Sequence, residues 1–194
     1  MDRRQERTQR TLRAALVALI LRKGYDAITI QDIIDEANVG RSTFYSHFTG
    51  KDDLFRKGFV QLRELLQEQR AEAVNSGQIS DGDALGFSLP MFQHVKDHGD
   101  LYAALVGERG GAIAIREVRA LLADMAERDL EHLFKERALP KSERELVLQF
   151  IVGSFMSVIT WWLDKNPRLS PERVDAAFRS LALNGIDRFA SQAE

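Results

Sequence analysis

The sequence predicts an all-α protein of about nine helices, and three observations support this prediction. Apolar residues recur at helical spacing along most of the 194 residues, and no strand-like alternation extends beyond a few residues. Glycine and proline, which interrupt helices, separate segments of helix length. Hydrophobic residues make up 44% of the chain, so a core can form and global disorder is not expected.

The first predicted helix runs from about Gln5 to Lys23, and Gly24 ends it because glycine accepts a left-handed backbone. A second helix is expected to begin at Thr29. The Thr29 hydroxyl can cap free backbone N–H groups, and Asp32, three residues later, completes a capping box. This helix is short and ends near Ala37.

A tight turn then leads into a third helix. Asn38 tolerates the left-handed conformation that such a turn needs, and Gly40 is an acceptable N-cap for a helix from Arg41 to about Phe48. Two short helices joined in this way form a helix-turn-helix, here at about residues 29–48. A long fourth helix is predicted over about 51–75.

Five more helices are expected after a polar linker at residues 76–83. Gly99, Gly110, Gly111, Pro140 and Pro167 mark the breaks. Pro90 should either start the second half of the first of these helices or kink it. The predicted ranges are about 84–98, 100–107, 112–136, 141–165 and 171–190.

Composition excludes several classes of site. The chain has no cysteine, which excludes disulfides, thiolate chemistry and cysteine-based zinc sites. The net charge is −2, but residues 1–57 carry 11 Lys/Arg against 8 Asp/Glu, and the remainder carries 16 against 21. We therefore expect only the N-terminal part to meet a polyanion. No apolar segment follows the charged start, so we predict a cytoplasmic, nucleoid-associated protein without an export signal.

Residues 146–163, LVLQFIVGSFMSVITWWL, raise the question of a membrane span. The stretch is shorter than the roughly 20 residues that a spanning helix needs. It also contains Gln149, Ser154, Ser157 and Thr160. We therefore predict a core or interface helix.

The third helix combines an apolar anchor with hydrogen-bonding groups. Phe44 and Phe48 lie one turn apart and should face inward. In a helix-turn-helix, the first turn of the second helix approaches the base edges in the DNA major groove. Arginine can bind a guanine edge through two hydrogen bonds, and serine and threonine can contact bases. The predicted DNA-binding residues are Thr29, Gln31, Arg41, Ser42, Thr43, Tyr45, His47 and Lys51.

Five arginines precede this unit, at positions 3, 4, 7, 10 and 13. Two interpretations stay open for them. They can form a frayed, solvated terminus, or one of them can contact a phosphate or the minor groove.

The stretch TIQDIIDEANVGRSTFYSHFTGKDDLF, residues 29–55, resembles the DNA-binding segment of the tetracycline-repressor (TetR/AcrR) family of bacterial transcription regulators. The similarity includes the Thr-Ile start, Val39, the aromatic-Tyr-x-His-Phe run at 44–48 and the Lys-acidic-x-Leu run at 51–54. It covers roughly residues 7–58. The family often has glycine at the position of Asn38, and Ser-x-Gly where this chain has residues 40–42.

The resemblance implies a homodimer with an N-terminal DNA-binding domain, residues 1–57, and a ligand-binding and dimerisation domain, residues 58–194. It implies a near-palindromic DNA operator, a small-molecule effector that releases a repressor, and dimerisation through the last two long helices. We expect the ligand pocket to be lined by Phe87, Met91, Tyr102, Phe150, Met156 and Trp161. We expect the dimer interface to include Phe155, Trp162 and Phe178.

Two other functions are alternatives to ligand-controlled repression. A DNA-binding protein of the same fold could act without a ligand, as an architectural or partner-recruiting protein. An all-α enzyme would need a polar cluster in the C-terminal core, and no nucleophile-elbow, phosphate-loop or metalloprotease spacing is found. His94 and His98 have metal-ligand spacing, but a role at a helix C-terminus explains His98. We predict no enzyme, no cofactor and no metal site.

Overall fold

Nine helices and no strand form the regular structure of the described residues, which are 3–77, 83–106, 111–165 and 168–191 of a computed structural model. The predicted all-α fold is therefore confirmed. In chain order the helices are α1 (Arg3–Lys23), α2 (Ile30–Ala37), α3 (Arg41–His47), α4 (Lys51–Asn75), α5 (Ser88–Asp97), α6 (Gly99–Val106), α7 (Ala112–Glu136), α8 (Lys141–Lys165) and α9 (Pro171–Ala190). Gly110, Pro167 and residues 78–82 of the predicted linker lie outside the described residues.

The start of α5 differs from the prediction. The helix was expected from about residue 84 but begins at Ser88, because residues 84–87 form a turn in which Leu85 has a left-handed φ of 63°. Pro90 is the third residue of α5. Its missing N–H is tolerated there because the first four N–H groups of a helix have no intrahelical partner.

The chain divides into two compact units. Unit 1 contains Met1–Leu62 and Asp100–Val118, and unit 2 contains Arg63–Gly99 and Arg119–Glu194. Unit 1 includes α6 and the first part of α7 besides the helix-turn-helix. The functional boundary between domains 1–57 and 58–194 stays a prediction. The helices α4 and α7 each contribute residues to both units.

One hydrophobic core holds unit 1 together. It joins α1 to α4 with one residue each from α6 and α7. Burial of each large apolar side chain contributes about 1.5–3 kcal/mol relative to exposure. The buried residues are Leu12, Ala15, Leu16, Leu19, Ile20, Tyr25, Ile28, Ile33, Ile34, Ala37, Phe44, Phe48, Leu54, Phe55, Leu105 and Ala114.

Asp26, in the loop before α2, contacts the start of α7 within unit 1. A Cβ added at Gly111 would lie 2.1 Å from Asp26 Oδ1. The Gly111 carbonyl accepts a hydrogen bond from the Ile115 N–H at 3.2 Å, so Gly111 immediately precedes the first turn of α7. The carboxylate therefore lies at the positive end of this helix, in a space that glycine alone leaves open.

Aromatic rings fill the core of unit 2. Phe155 contacts Phe92, Phe178 and Phe87 with ring centroids at 4.5, 5.0 and 5.4 Å. The Trp162 ring lies edge-on to Phe92 at 5.7 Å, and its Nε1 donates a hydrogen bond to the Leu169 carbonyl at 3.1 Å. One side of α8 is thus committed to the protomer core.

Candidate DNA-binding surface and C-terminal groove

The start of α2 has the predicted capping box. The Asp32 N–H donates to Thr29 Oγ1 at 3.2 Å, and the Thr29 N–H donates to Asp32 Oδ2 at 2.7 Å. Lys23 Nζ lies 2.8 Å from Asp32 Oδ2. Hydrogen bonds from Lys23 and then from Thr29 hold the pKa of Asp32 well below its ordinary value. Asp32 therefore stays charged and links the end of α1 to the beginning of α2.

The turn between α2 and α3 has the predicted left-handed residue. Asn38 has φ 50° and ψ 50°, and its N–H donates to the Asp35 carbonyl at 3.1 Å. Gly40 is the N-cap of α3 in an extended conformation. The turn thereby fixes the angle at which α3 leaves α2.

Phe44 and Phe48 anchor α3, as the spacing predicts. Both side chains are buried in the core of unit 1, and their ring centroids lie 6.0 Å apart. Tyr45, on the neighbouring position, meets the Phe44 ring edge-on at 5.3 Å but leaves 47% of its own surface exposed. The anchor fixes the rotation of α3 about its axis and so determines which residues face solvent.

The outward side of α3 carries the predicted reading residues. Arg41, Ser42 and Tyr45 are exposed, and Thr43 and His47 are half-buried. The Arg41 guanidinium carbon lies 5.9 Å from the centre of the Tyr45 ring, at the distance of a cation–π contact. The arrangement presents a guanidinium and hydroxyls in the first turn of a rigidly anchored helix, which is the geometry that base-edge recognition requires.

Thr29 and Gln31 are exposed and already hydrogen-bonded within α2 and its cap. Thr29 Oγ1 donates to Asp32 Oδ2 at 2.6 Å, and Gln31 Nε2 donates to Asp35 Oδ1 at 2.8 Å. Contact of either residue with DNA stays a prediction.

Lys51 has an internal role that the sequence interpretation missed. Its Nζ donates to the carbonyls of Tyr25 at 3.0 Å and Ile28 at 2.9 Å, and it lies 4.4 Å from the centre of the Tyr25 ring. An ammonium has three donors, so one remains for the predicted phosphate contact. Because Tyr25 and Ile28 are distant in sequence, no local pattern indicates this bonding.

Lys57 and Asp53 support the other end of α3. Lys57 Nζ donates to the His47 carbonyl at 3.0 Å and lies 3.2 Å from Asp53 Oδ2. Asp53 Oδ2 also accepts the Thr49 N–H at 2.9 Å. That backbone hydrogen bond, followed by Lys57, lowers the pKa of Asp53. The i, i+4 spacing of Asp53 and Lys57 was the sequence signal for this pair.

Comparison with protein-family models gives two matches. The model described as bacterial regulatory proteins of the tetR family matches residues 12–57. The model described as a transcriptional regulator C-terminal region matches residues 83–184, more than half of the chain. The chain belongs to the TetR family. It is a transcriptional regulator with a helix-turn-helix DNA-binding domain, and not an enzyme.

Known transcriptional regulators resemble the chain over most of its length. YhgD, an uncharacterized HTH-type transcriptional regulator of Bacillus subtilis (strain 168), is 24% identical over 182 residues, which are 84% of this chain and 88% of YhgD. A TetR regulator from Streptococcus agalactiae 2603V has a TM-score of 0.68 at 24% identity, covering 93% of this chain and 96% of its own. Thermus thermophilus FadR, a TetR-family repressor in complex with lauroyl-CoA, has a TM-score of 0.59 at 18% identity, covering 91% and 94%.

A surface groove runs between α8 and α9 in unit 2 of this TetR-family protein. Its volume is about 710 Å³, and three of its large apolar side chains are among the most exposed in the described residues: Phe150 (52%), Trp161 (47%) and Leu181 (77%). Its lining is almost entirely apolar, apart from Ser154 and Arg173. An exposed apolar surface of this kind marks an interaction site.

The groove bears on two sequence predictions. Phe155 and Trp162, predicted at the dimer interface, are buried in the protomer core and do not line the groove, so the protomer leaves them no surface for a partner. Phe178 is also buried but contributes to the lining of the groove, and its interface role stays a prediction. Phe150 and Trp161, predicted in a ligand pocket, lie on this exposed groove, and their ligand role stays a prediction. Trp161 and Trp162 do point to different faces, as their adjacency predicts.

The remaining predicted pocket residues lie inside unit 1 or unit 2. Phe87, Met91 and Tyr102 are buried. Met156 is half-buried, with its Sδ 3.8 Å from Arg119 Nη1. The structure does not test whether they bind a ligand, so this role stays a prediction.

By length and composition, α8 is the one helix in the described ranges that could cross a membrane. Its buried side packs in an aromatic core and its exposed apolar side lines the groove. The same two faces are expected of an interface helix in a TetR-family regulator, so no membrane location is needed to explain them.

His94 and His98 stack on each other in the last part of α5. Their ring centroids are 4.2 Å apart, and His98 Nδ1 lies 3.0 Å from the His94 carbonyl. Burial, followed by the neighbouring His98, lowers the pKa of His94 to about 4. No group of three or more metal-binding side chains occurs in the described part of the chain.

Proposed function

We propose that the protein is a homodimeric transcriptional repressor that binds a near-palindromic DNA operator and is released by a small molecule. The observation that supports operator binding most directly is the exposed polar side of α3, fixed by the buried Phe44 and Phe48. An ordinary solvated surface would not need this support, which consists of the buried anchor, the capped helix α2 and two lysines. Lys51 and Lys57 donate hydrogen bonds to backbone carbonyls of the same unit.

Base recognition falls to the first turn of α3. Arg41 can bind a guanine edge through two hydrogen bonds, and Ser42 and Thr43 can contact neighbouring bases. Tyr45, His47 and the remaining donor of Lys51 contact phosphates, which position the helix without reading sequence. Binding to chromosomal DNA would locate the protein at the nucleoid.

The groove between α8 and α9 is proposed as the dimer interface. A two-fold interface uses the same surface on both subunits, so Trp161 and Leu181 of one protomer would be covered by the equivalent groove of the other. A two-fold dimer would present its two α3 helices to successive major grooves, about 34–36 Å apart.

Leu181→Glu tests this interface. A carboxylate in the centre of an apolar interface is left unpaired and desolvated, so sedimentation should give a monomer. Val60→Glu is the matched control, because Val60 on α4 is also an exposed large apolar residue but is not among the residues that line the groove. A dimeric L181E protein would contradict the proposed interface.

Release by an effector is supported by the family and by the ligand-bound neighbour FadR. We propose that the effector enters unit 2 near Phe87, Met91 and Met156. A ligand role for Tyr102, which is buried in unit 1, stays a separate prediction. An operator can be selected from random duplexes and then titrated with small-molecule fractions of a cell extract. A fraction that weakens operator binding of the wild type supports the proposal.

A ligand-independent DNA-binding role is the second candidate, and the aromatic core favours it. The rings around Phe92 and Phe155 pack against one another in the core of unit 2, with centroids 4.5 to 6.0 Å apart. Under this hypothesis no extract fraction changes operator affinity. Deletion of the gene would separate repressor from activator, since loss of a repressor raises transcription of the target genes.

A further inference from the structure

A row of arginines occupies the beginning of α1, ahead of the helix-turn-helix. Residues 3–13 contain five arginines and one glutamate, and all lie in one continuous helix. The tetR-family match begins at residue 12. Most of this basic segment therefore lies outside the part of the chain that the family pattern describes.

The helical period separates this segment into two faces. Leu12, Leu16 and Leu19 are buried in the core of unit 1. Arg3, Arg7 and Arg10, spaced by four and three residues, fall on the opposite side of the helix. All three are exposed. We call these three residues the arginine stripe.

The arginine stripe is unfavourable for the isolated protein. Helix N-termini carry a partial positive charge and favour acidic residues, yet residues 3–10 carry four arginines against one glutamate. Within the described ranges, Arg3, Arg7 and Arg10 have no ion-pair partner. Burial, followed by the like charge of Arg10, lowers the pKa of the neighbouring Arg13. An external polyanion would relieve both the repulsion and the dipole mismatch.

We propose that the arginine stripe binds DNA phosphates beside the base pairs that α3 contacts, lengthening the footprint of each subunit. From Arg3 to Arg10 the helix rises about 10 Å, which matches about three phosphates at the 3.4 Å charge spacing of one DNA strand. The stripe belongs to the same compact unit as α3. This inference depends on the proposed operator binding.

The test is the salt dependence of DNA binding by the dimer. Arg3→Gln, Arg7→Gln and Arg10→Gln are combined in one variant, and binding to a selected operator is measured by fluorescence anisotropy across a salt series. Each lost phosphate contact lowers the slope of log K against log salt by about 0.9. The slope should therefore fall by about 2.7 per bound subunit, with a loss of affinity on the order of 10²-fold per subunit at about 0.1 M salt.

A second triple variant removes the same charge elsewhere. Arg128, Arg137 and Arg168 are exposed arginines of unit 2, and their replacement by glutamine corrects for the change in overall charge. Arg3→Lys, Arg7→Lys and Arg10→Lys together should restore the slope, because phosphate binding needs the charge rather than the guanidinium.

Three outcomes decide the proposal. The proposal is supported if the triple Arg→Gln variant loses affinity equally for all duplex sequences, and if this loss disappears when the duplex is trimmed at both flanks. A slope equal to that of the unit 2 variant overturns it. A loss confined to particular flanking sequences also overturns it, since that result indicates base contacts. Failure of the wild type to bind any duplex at low salt would instead contradict the proposed function itself.

Discussion

Replacement of Lys51 by methionine separates the structural role of this residue from a role on DNA. The substitution keeps an unbranched side chain but removes both hydrogen bonds from Nζ to the Tyr25 and Ile28 carbonyls. A hydrogen bond from a charged donor contributes about 1.5–3 kcal/mol. The cation–π contact with the Tyr25 ring adds about 0.5–1 kcal/mol.

These contributions are not additive, because the freed carbonyls regain some solvation when Lys51 is removed. We therefore expect a loss of about 2–4 kcal/mol in the free energy of unfolding. At a urea dependence of about 2 kcal/mol per molar, the middle of the usual range, the midpoint measured by far-ultraviolet circular dichroism should fall by about 1–2 M. Lys135→Met is the control, since Lys135 has one exposed ion pair, to Glu131, on α7.

A midpoint for the Lys51 variant equal to that of the Lys135 variant would refute the internal bonding described above. The operator affinity gives an independent result. If the third donor of Lys51 contacts a phosphate, the slope of log K against log salt falls by about 1. An unchanged slope with a lowered midpoint would assign Lys51 to the fold alone.

Three further changes test other residues. Phe44→Ala should destabilise the protein by about 3–5 kcal/mol, because the buried ring leaves a cavity; an unchanged urea midpoint would contradict its place in the core. Arg41→Ala should reduce discrimination at one base pair by about 1–3 kcal/mol in competition binding, whereas an equal loss on every duplex would assign Arg41 to phosphate. Burial raises the pKa of Asp175, so the folded state binds a proton more tightly than the unfolded state, and the cost of this carboxylate appears as pH rises above about 4. Asp175→Asn should therefore stabilise the protein more at neutral pH than at about pH 4; a gain in urea midpoint that is independent of pH would contradict the buried-carboxylate argument.

The positions of most helices could be predicted because each has its own local signal. The Thr29–Asp32 capping box, Asn38 and Gly24 act on the backbone of adjacent residues. The local sequence is therefore enough to predict where these helices begin and end. The start of α5 escaped prediction because Leu85, a residue with no turn preference, adopts a left-handed backbone. The packing around Leu85, and not a preference of leucine for a left-handed backbone, determines that conformation.

The faces of α8 could not be assigned from sequence for a different reason. Phe150, Phe155, Trp161 and Trp162 place large apolar groups on several sides of this helix. Hydrophobic periodicity identifies a buried face only when the opposite face is polar. A helix with one buried apolar side and one exposed apolar side gives no such contrast, so the sequence did not distinguish the buried residues from the exposed ones.

Because Trp162 faces inward and Trp161 faces outward, tryptophan fluorescence can report on self-association of the protein. The chain contains two tryptophans, and they differ in solvent contact: one indole is enclosed and the other has 47% of its surface exposed. Covering Trp161 would shift its emission to shorter wavelength, while the emission of Trp162 would change only on unfolding. A dilution series of the unlabelled protein, repeated with Trp161→Phe, would therefore yield a self-association constant without any attached dye.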